Sequence, residues 1–351
     1  MAYIRGMMGY NKKFAVASGS HHPARPQNAR FPMKNKLIRI LCACVALFPL
    51  CASCAGTLQL QAEAIAAGDS ADVGLAIEAT GSGERAAVRA GKAYPMYSIV
   101  KFPLALAVLE RVDRGELRLD DTITITPADL KPDTISPLRE RYEGQTAEVK
   151  TVDILYETIA HSDNNGCDIL MRQIGGPGAV ERYVQSLGIT GMHIGATCTA
   201  MHDTPGMRMA NTATPEAANR LLALFYGKEL LHPDSHELLW EYMQETMTGP
   251  GRLRGPLPAG TVLAHRTGTG ENPSDGSTTV NDIGIIVLPD KRPVFISVFV
   301  TGARGSILDA EKTIADLSQA AWDYYSKEKD GNPIDIAERG VRELLRLETR
   351  P

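Results

Sequence analysis

The apolar period changes twice along this 351-residue chain, and those two changes constrain the fold more than any other feature. Gln59–Ala67 reads as a short helix and Val73–Ala79 as a strand. From Ser98 the spacing becomes helical: Val100, Leu104, Val108 and Val112 share a face, and Gly115 supplies a stop. Helical spacing persists through Val152–Ala160, Gly178–Leu187, Thr214–Tyr226 (which opens with the helix-start pair Thr-Pro) and Leu230–Thr248. Strand signals return at Val262–His265, Asp282–Leu288 and Val294–Thr301, and Ile307–Tyr325 closes as an amphipathic helix. Strands at both ends of a helical middle predict an α/β protein whose sheet domain is built from both termini around an inserted all-helical domain. The expected boundaries are 56–93 and 249–327 for the sheet domain and 94–248 for the helical domain, with a polar tail over 328–351. The seam between two such domains is a natural place for a cleft.

A hydrophobic fraction of 44% and a charged fraction of 22% exclude disorder, collagen and coiled coil as whole-chain structures. The net charge is −4, but eight Lys/Arg and no Asp/Glu fall in residues 1–54, which leaves 29 basic against 41 acidic residues in the body. An acidic body repels phosphate backbones, so no nucleic-acid partner is expected. Residues 1–32 read as a non-native or unstructured extension. Met33 then opens a second start: basic residues to Arg39, an apolar run over Ile40–Leu50, and small residues around Ala52-Ser53-Cys54-Ala55-Gly56. That order predicts a signal peptide over 33–55 and a periplasmic or secreted bacterial protein. The apolar run is too short to span a bilayer as a mature helix, so no stable membrane insertion is expected after removal; lipid attachment at Cys51 or Cys54 is the weaker alternative. Four of the six cysteines lie in that segment, leaving Cys167 and Cys198 in the body, free or paired. No Cys or His spacing suggests a metal.

Three short motifs carry chemistry. In Ser98-Ile99-Val100-Lys101, positions i and i+3 of a helix put the lysine beside the hydroxyl. A serine is a weak nucleophile without a neighbouring base, and a lysine of lowered pKa can serve. Ser162-Asp163-Asn164 follows an apolar helix, and Arg266-Thr267-Gly268-Thr269 stands at the end of a strand. In this order the three resemble Ser-x-x-Lys, Ser-Asp-Asn and Lys-Thr-Gly of the class A serine β-lactamases and penicillin-binding enzymes. Pro95-Met96-Tyr97-Ser98, Ser136-Pro137-Leu138-Arg139, the run from Ser162 to Asp168, and Asn281-Asp282-Ile283-Gly284 are similar to an extended-spectrum branch of class A. The resemblance covers about residues 57 to 327.

The resemblance implies a serine β-lactamase fold and a β-lactam hydrolase that confers resistance. It implies Ser98 as the acylated nucleophile, Lys101 as its activator, and Ser162 as the group that passes a proton to the leaving nitrogen. Asn164 would bind the substrate's side-chain amide. Arg252, Arg266, Thr267 and Thr269 would contact its carboxylate and line the edge strand. The backbone N–H groups of Ser98 and Thr269 would form the oxyanion hole. Arg266 replaces the family's usual lysine, keeping the charge but changing its geometry. A β-lactam is the expected partner, a monomer the expected state, and no metal or organic cofactor is implied.

The pattern breaks at the omega loop. In this branch a glutamate three residues before Met-His activates the water that frees the serine; in Ala196-Thr197-Cys198-Thr199-Ala200-Met201-His202 that position is Cys198. No Glu occurs between Glu181 and Glu216, and nothing in the sequence makes Asp168 a base. A thiol of pKa about 8.5 could act as base if Lys101 lowers it. The His202 imidazole, near 6.5 unperturbed, could take the proton instead. A disulfide to Cys167 would remove the thiol altogether. Loss of the base makes a penicillin-binding protein or sensor, which acylates and releases slowly, the alternative. An acyl enzyme on peptidoglycan peptides is a further rival, against which Met201-His202 argues. Ile135 stands where relatives often carry an aromatic residue at the cleft rim, and Pro103 is tolerable only in a helix's first turns.

Overall fold

The computed structural model describes residues 57–327, apart from Pro205, Pro273 and the side chains of His202 and Asp203. The expected extension, signal peptide and polar tail lie outside the described residues. Among the described residues no helix is long and apolar enough to cross a membrane.

Five antiparallel strands form the main sheet in the order β2-β1-β10-β9-β8. They are β1 (Asp72–Ala79), β2 (Arg85–Val88), β8 (Leu263–Glu271), β9 (Thr278–Val287) and β10 (Pro293–Ala303). The sheet is indeed built from both ends of the body: β1 pairs with β10 from Asp72↔Thr301 to Ala79↔Val294. Alternation along β10 explains why both of its faces are buried. Val294, Ile296, Val298 and Val300 enter one core, with Leu58 and Ala62 of α1 (Thr57–Gly68) and Ile314, Leu317 and Ala321 of α10 (Ile307–Lys327). Phe295 and Phe299 point the other way, into a second core shared with Leu221, Leu222 and Phe225 of α8 (Pro215–Tyr226).

That second core is the helical layer, and α2 (Lys101–Asp113) runs through its middle. Every residue from Lys101 to Leu109 is buried, as befits a helix that is apolar on all sides. Around it lie α4 (Thr151–Ala160), α5 (Asn164–Gln173), α6 (Pro177–Ser186) and α9 (Pro233–Gln244). Phe102 meets Phe225 edge to face at 5.6 Å, joining α2 to α8.

Three differences from the sequence reading have local causes. Residues Tyr97–Val100 form a 3-10 turn ahead of α2 rather than its first turn, because Tyr97 enters at a φ of +47°. Pro103 therefore sits within the first turn of α2, where its missing N–H costs nothing. Arg266-Thr267-Gly268-Thr269 lies in the middle of β8, not at its end, since pairing with β9 runs from Leu263↔Ile286 to Glu271↔Thr278; two glycines hid the strand's second half. Helix α9 begins only at Pro233 and stops at Gln244. The short pairings β3 (Tyr94–Pro95), β6 (Met192–Ile194) and β7 (Asn211–Ala213), and β4 (Thr122–Ile125) with β5 (Ala147–Lys150), carry too few residues to show a period.

Candidate active site

Three elements converge on one buried hydroxyl. The 3-10 turn presents Ser98, the segment between α4 and α5 presents Ser162, the first residue of α5 is Asn164, and β8 presents Arg266. Lys101 Nζ lies 2.8 Å from Ser98 Oγ, 3.4 Å from Ser162 Oγ and 2.5 Å from Asn164 Oδ1. Ser162 Oγ is 3.0 Å from Ser98 Oγ and accepts from the Arg266 guanidinium at 2.6 Å. These atoms form a closed circuit from Ser98 through Lys101 and Ser162 to Arg266.

The electrostatics favour a basic lysine. Lys101 is fully buried and touches no carboxylate among the described residues. Burial lowers its pKa well below the usual lysine range; the Arg266 charge lowers it further, and the more distant Asp163 and Asp168 oppose this only in part. Burial also brings Arg266 down to about 9, with Asp282 opposing and Arg252 assisting the shift, so the guanidinium stays charged at neutral pH. The site thus pairs an amine of lowered pKa with a fixed cation.

Backbone strain marks both serines. Tyr97, beside Ser98, and Ser162 itself have φ values of +47° and +65°, a region that costs a side-chain-bearing residue about 1–3 kcal/mol. Asp163 over-determines the second of these: it accepts from Ser136 Oγ at 2.9 Å, Leu138 N at 2.7 Å and Gly166 N at 2.7 Å. Ser136 caps α3 (Pro137–Tyr142), so the same carboxylate ties the 134–138 loop to Asn164. Thr134 then accepts from Asn164 Nδ2 at 2.7 Å, while Ile135 is 64% exposed on the rim. Asn281 of β9 donates to Pro95 O at 2.8 Å and so ties the sheet to the approach to the Ser98 turn. A Cβ on Gly268 would stand 2.3 Å from Met96 O, which is why β8 needs glycine there.

The family model of the β-lactamase enzyme family matches residues 57–325. The chain belongs to the class A β-lactamase family. It is 38% identical over 271 residues to β-lactamase VEB-1 of Pseudomonas aeruginosa, covering 76% of this chain and 90% of that one. It is 37% identical to the extended-spectrum β-lactamase PER-1 of the same organism, covering 77% and 88%. The crystal structure of TLA-3 extended-spectrum β-lactamase superposes with a TM-score of 0.74 at 38% identity, over 77% of this chain and 98% of that one.

In this class A chain Arg252 makes four hydrogen bonds. Its guanidinium donates to Glu311 at 3.0 Å, to Asn281 O at 3.0 Å, to Gly268 O at 3.3 Å and to Thr269 Oγ1 at 2.7 Å. Arg252 therefore reaches the cleft through Thr269. Thr267 Oγ1 pairs with Thr248 Oγ1 at 2.5 Å, and Thr248 accepts weakly from Arg266 at 3.5 Å.

One expectation is corrected. Cys198 is bonded to Cys167 with an S–S distance of 2.06 Å, so it has no thiol proton and forms no thiolate base. The same bond removes the Cys167-Asp168-Cys198 cluster as a metal site. Cys198 opens the short helix α7 (Cys198–Asp203), which Thr199 ties to Asp168 of α5 by its hydroxyl and by its N–H at 3.3 Å. Lys131 Nζ joins the knot, 2.6 Å from Thr199 Oγ1. The side chain of His202 lies outside the described ones.

Sequence reasoning missed several residues that hold this site. Asn211 of β7 accepts from Gly195 N at 3.0 Å and Ala196 N at 2.9 Å, fixing the segment that leads into α7. Thr248, Lys131 and the bracing roles of Asp163 and Asn281 were also unread. Asp163 and Asn281 carry a signal as motif letters and Asn281 also as polarity within an apolar run, since Asn281 and Asp282 interrupt a strand rich in β-branched residues, but neither signal shows a brace.

Proposed function

We propose that this class A enzyme hydrolyses β-lactams through an acyl-enzyme on Ser98, and so confers β-lactam resistance. One observation carries the reading: the buried Lys101 amine lies 2.8 Å from a serine hydroxyl that a strained turn holds in place. Lys101 takes the Ser98 proton as Oγ attacks the lactam carbonyl. The proton passes through Ser162 to the departing nitrogen, and Arg266 holds Ser162 and adds positive potential for the substrate carboxylate. Backbone N–H groups of Ser98 and Thr269 receive the oxyanion, Asn164 the side-chain amide, and Thr267 and Thr269 the carboxylate. Residues 56–93 with 249–327, and 94–248, are read as the two walls of the cleft. The N-terminal segment is read as an export signal and the working form as a monomer.

A second reading has its own observation: the Cys167–Cys198 bond leaves Cys198 without a proton to exchange. We read Cys198 as standing at the position of the family's deacylating glutamate. Acylation without prompt release makes a β-lactam binder or sensor. The deciding experiment follows intact mass after mixing the chain with a penicillin. An adduct that appears and vanishes while product accumulates supports the hydrolase; a persistent adduct supports the binder; neither adduct nor product refutes both.

A further inference from the structure

We propose that Lys101 is also the deacylation base of this enzyme, the same amine serving both halves of the reaction. This rests on the acyl-enzyme reading above. The hydrogen-bond circuit carries the argument. A neutral lysine amine has two N–H donors and one lone pair. Asn164 Oδ1 at 2.5 Å and Ser162 Oγ at 3.4 Å take the two donors, and the lone pair faces Ser98 Oγ at 2.8 Å. Once Ser98 is acylated, its Oγ has no proton to give and the lone pair loses its partner. That lone pair then lies beside the ester oxygen which deacylation must release.

Among the described side chains, other bases are poorly disposed. Cys198 on α7 has no thiol. Asp168 on α5 is occupied by the Thr199 hydroxyl and amide and lies 3.7 Å from the Lys131 ammonium. Asp163 is spent on Ser136, Leu138 and Gly166. The charges that act on Lys101 are Arg266 from β8 and these two aspartates, and burial with Arg266 lowers the pKa of the amine.

The step balances. Water forms a bond to the acyl carbon and gives its proton to Lys101 Nζ; the bond from that carbon to Ser98 Oγ breaks, and Nζ returns the proton to Oγ. No oxidant or second substrate is consumed.

The test forms the acyl-enzyme of the full-length chain with a penicillin, removes free drug, and follows adduct loss by intact mass across pH. Deacylation should rise with pH along a single limb centred below the ordinary lysine range. A second preparation carries Lys101→Cys alkylated with 2-bromoethylamine, with the wild-type chain alkylated alike as control. The resulting thioether amine is less basic than lysine, so the limb should move to lower pH. Decay that is flat with pH, or a limb unmoved by the thioether amine, overturns the proposal. So does a tenfold or greater loss of decay in Asp168→Asn or His202→Gln, or a tenfold gain on adding a dithiol. Failure to form any adduct refutes the acyl-enzyme reading itself, and this proposal with it.

Discussion

Cys167 and Cys198 are joined across 31 residues of sequence with their Cα atoms 6.1 Å apart, which fastens α7 to α5. The Thr199–Asp168 hydrogen bonds double the fastening one residue along the chain. Because α7 packs on the turn that carries Ser98, this covalent bond braces the nucleophile. A cross-link closing a loop of this size restricts the unfolded chain by about 3–4 kcal/mol. Unfolding by guanidinium should therefore show an earlier midpoint in dithiol, by that amount of stability. Coincident curves would mean that the loop is held equally well without its bond.

Removing the amine should stop the first half of the reaction. Lys101→Ala is expected to slow acylation about 10²–10⁴-fold, the usual contribution of a positioned base. Stopped-flow measurement with a chromogenic cephalosporin reads this directly. A loss below tenfold would transfer the role to another group.

Gly268→Ala tests how closely β8 must approach the nucleophile turn. Its Cβ would fall 2.3 Å from Met96 O, and backbone cannot yield as a side-chain tip can. The expected cost is about 1–3 kcal/mol of stability, with slower acylation as Ser98 is displaced. Calorimetry together with adduct kinetics checks both. Unchanged acylation would show that the turn moves without harm.

His236 predicts an acid-sensitive stability. It is buried against Phe225, with ring centroids 4.6 Å apart, and Nδ1 has no hydrogen-bond partner. Burial, assisted by the Lys228 charge, lowers its pKa in the folded state. The unfolded chain takes up that proton near pH 6.5. Below this value the unfolded state binds more protons than the folded one, so stability falls as pH falls. His236→Leu should flatten the fall in melting temperature between about pH 6.5 and 5. An unaltered slope would assign the acid limb to other groups.

Much of this architecture was legible because it is local. The helical middle and flanking strands follow from period alone. Ser98 and Lys101 are three residues apart, and Ser162 and Asn164 two, so a single turn brings each pair together. What escaped reading depends on register between distant segments. Asn281 meets Pro95 only after β9 and the Ser98 turn have found each other, 186 residues apart. Asp163 looked like the middle letter of a motif until its four acceptor contacts showed it to be a brace. The fate of Cys198 stood open among base, bystander and bond, since sequence does not say which sulfur atoms come within bonding distance.

The pairing of β1 with β10 also sets a timetable. Residues 72–79 enter the sheet beside residues 293–303, so the central ladder has no second half until nearly the whole body has been synthesised. Arg266 reaches Ser162 from β8, which is itself held by that late sheet. A chain cut short before β10 can gather its contiguous helices, but it lacks the strand that anchors the rest. The Arg266 contact with Ser162 therefore depends on long-range strand pairing, the slow kind of contact to form.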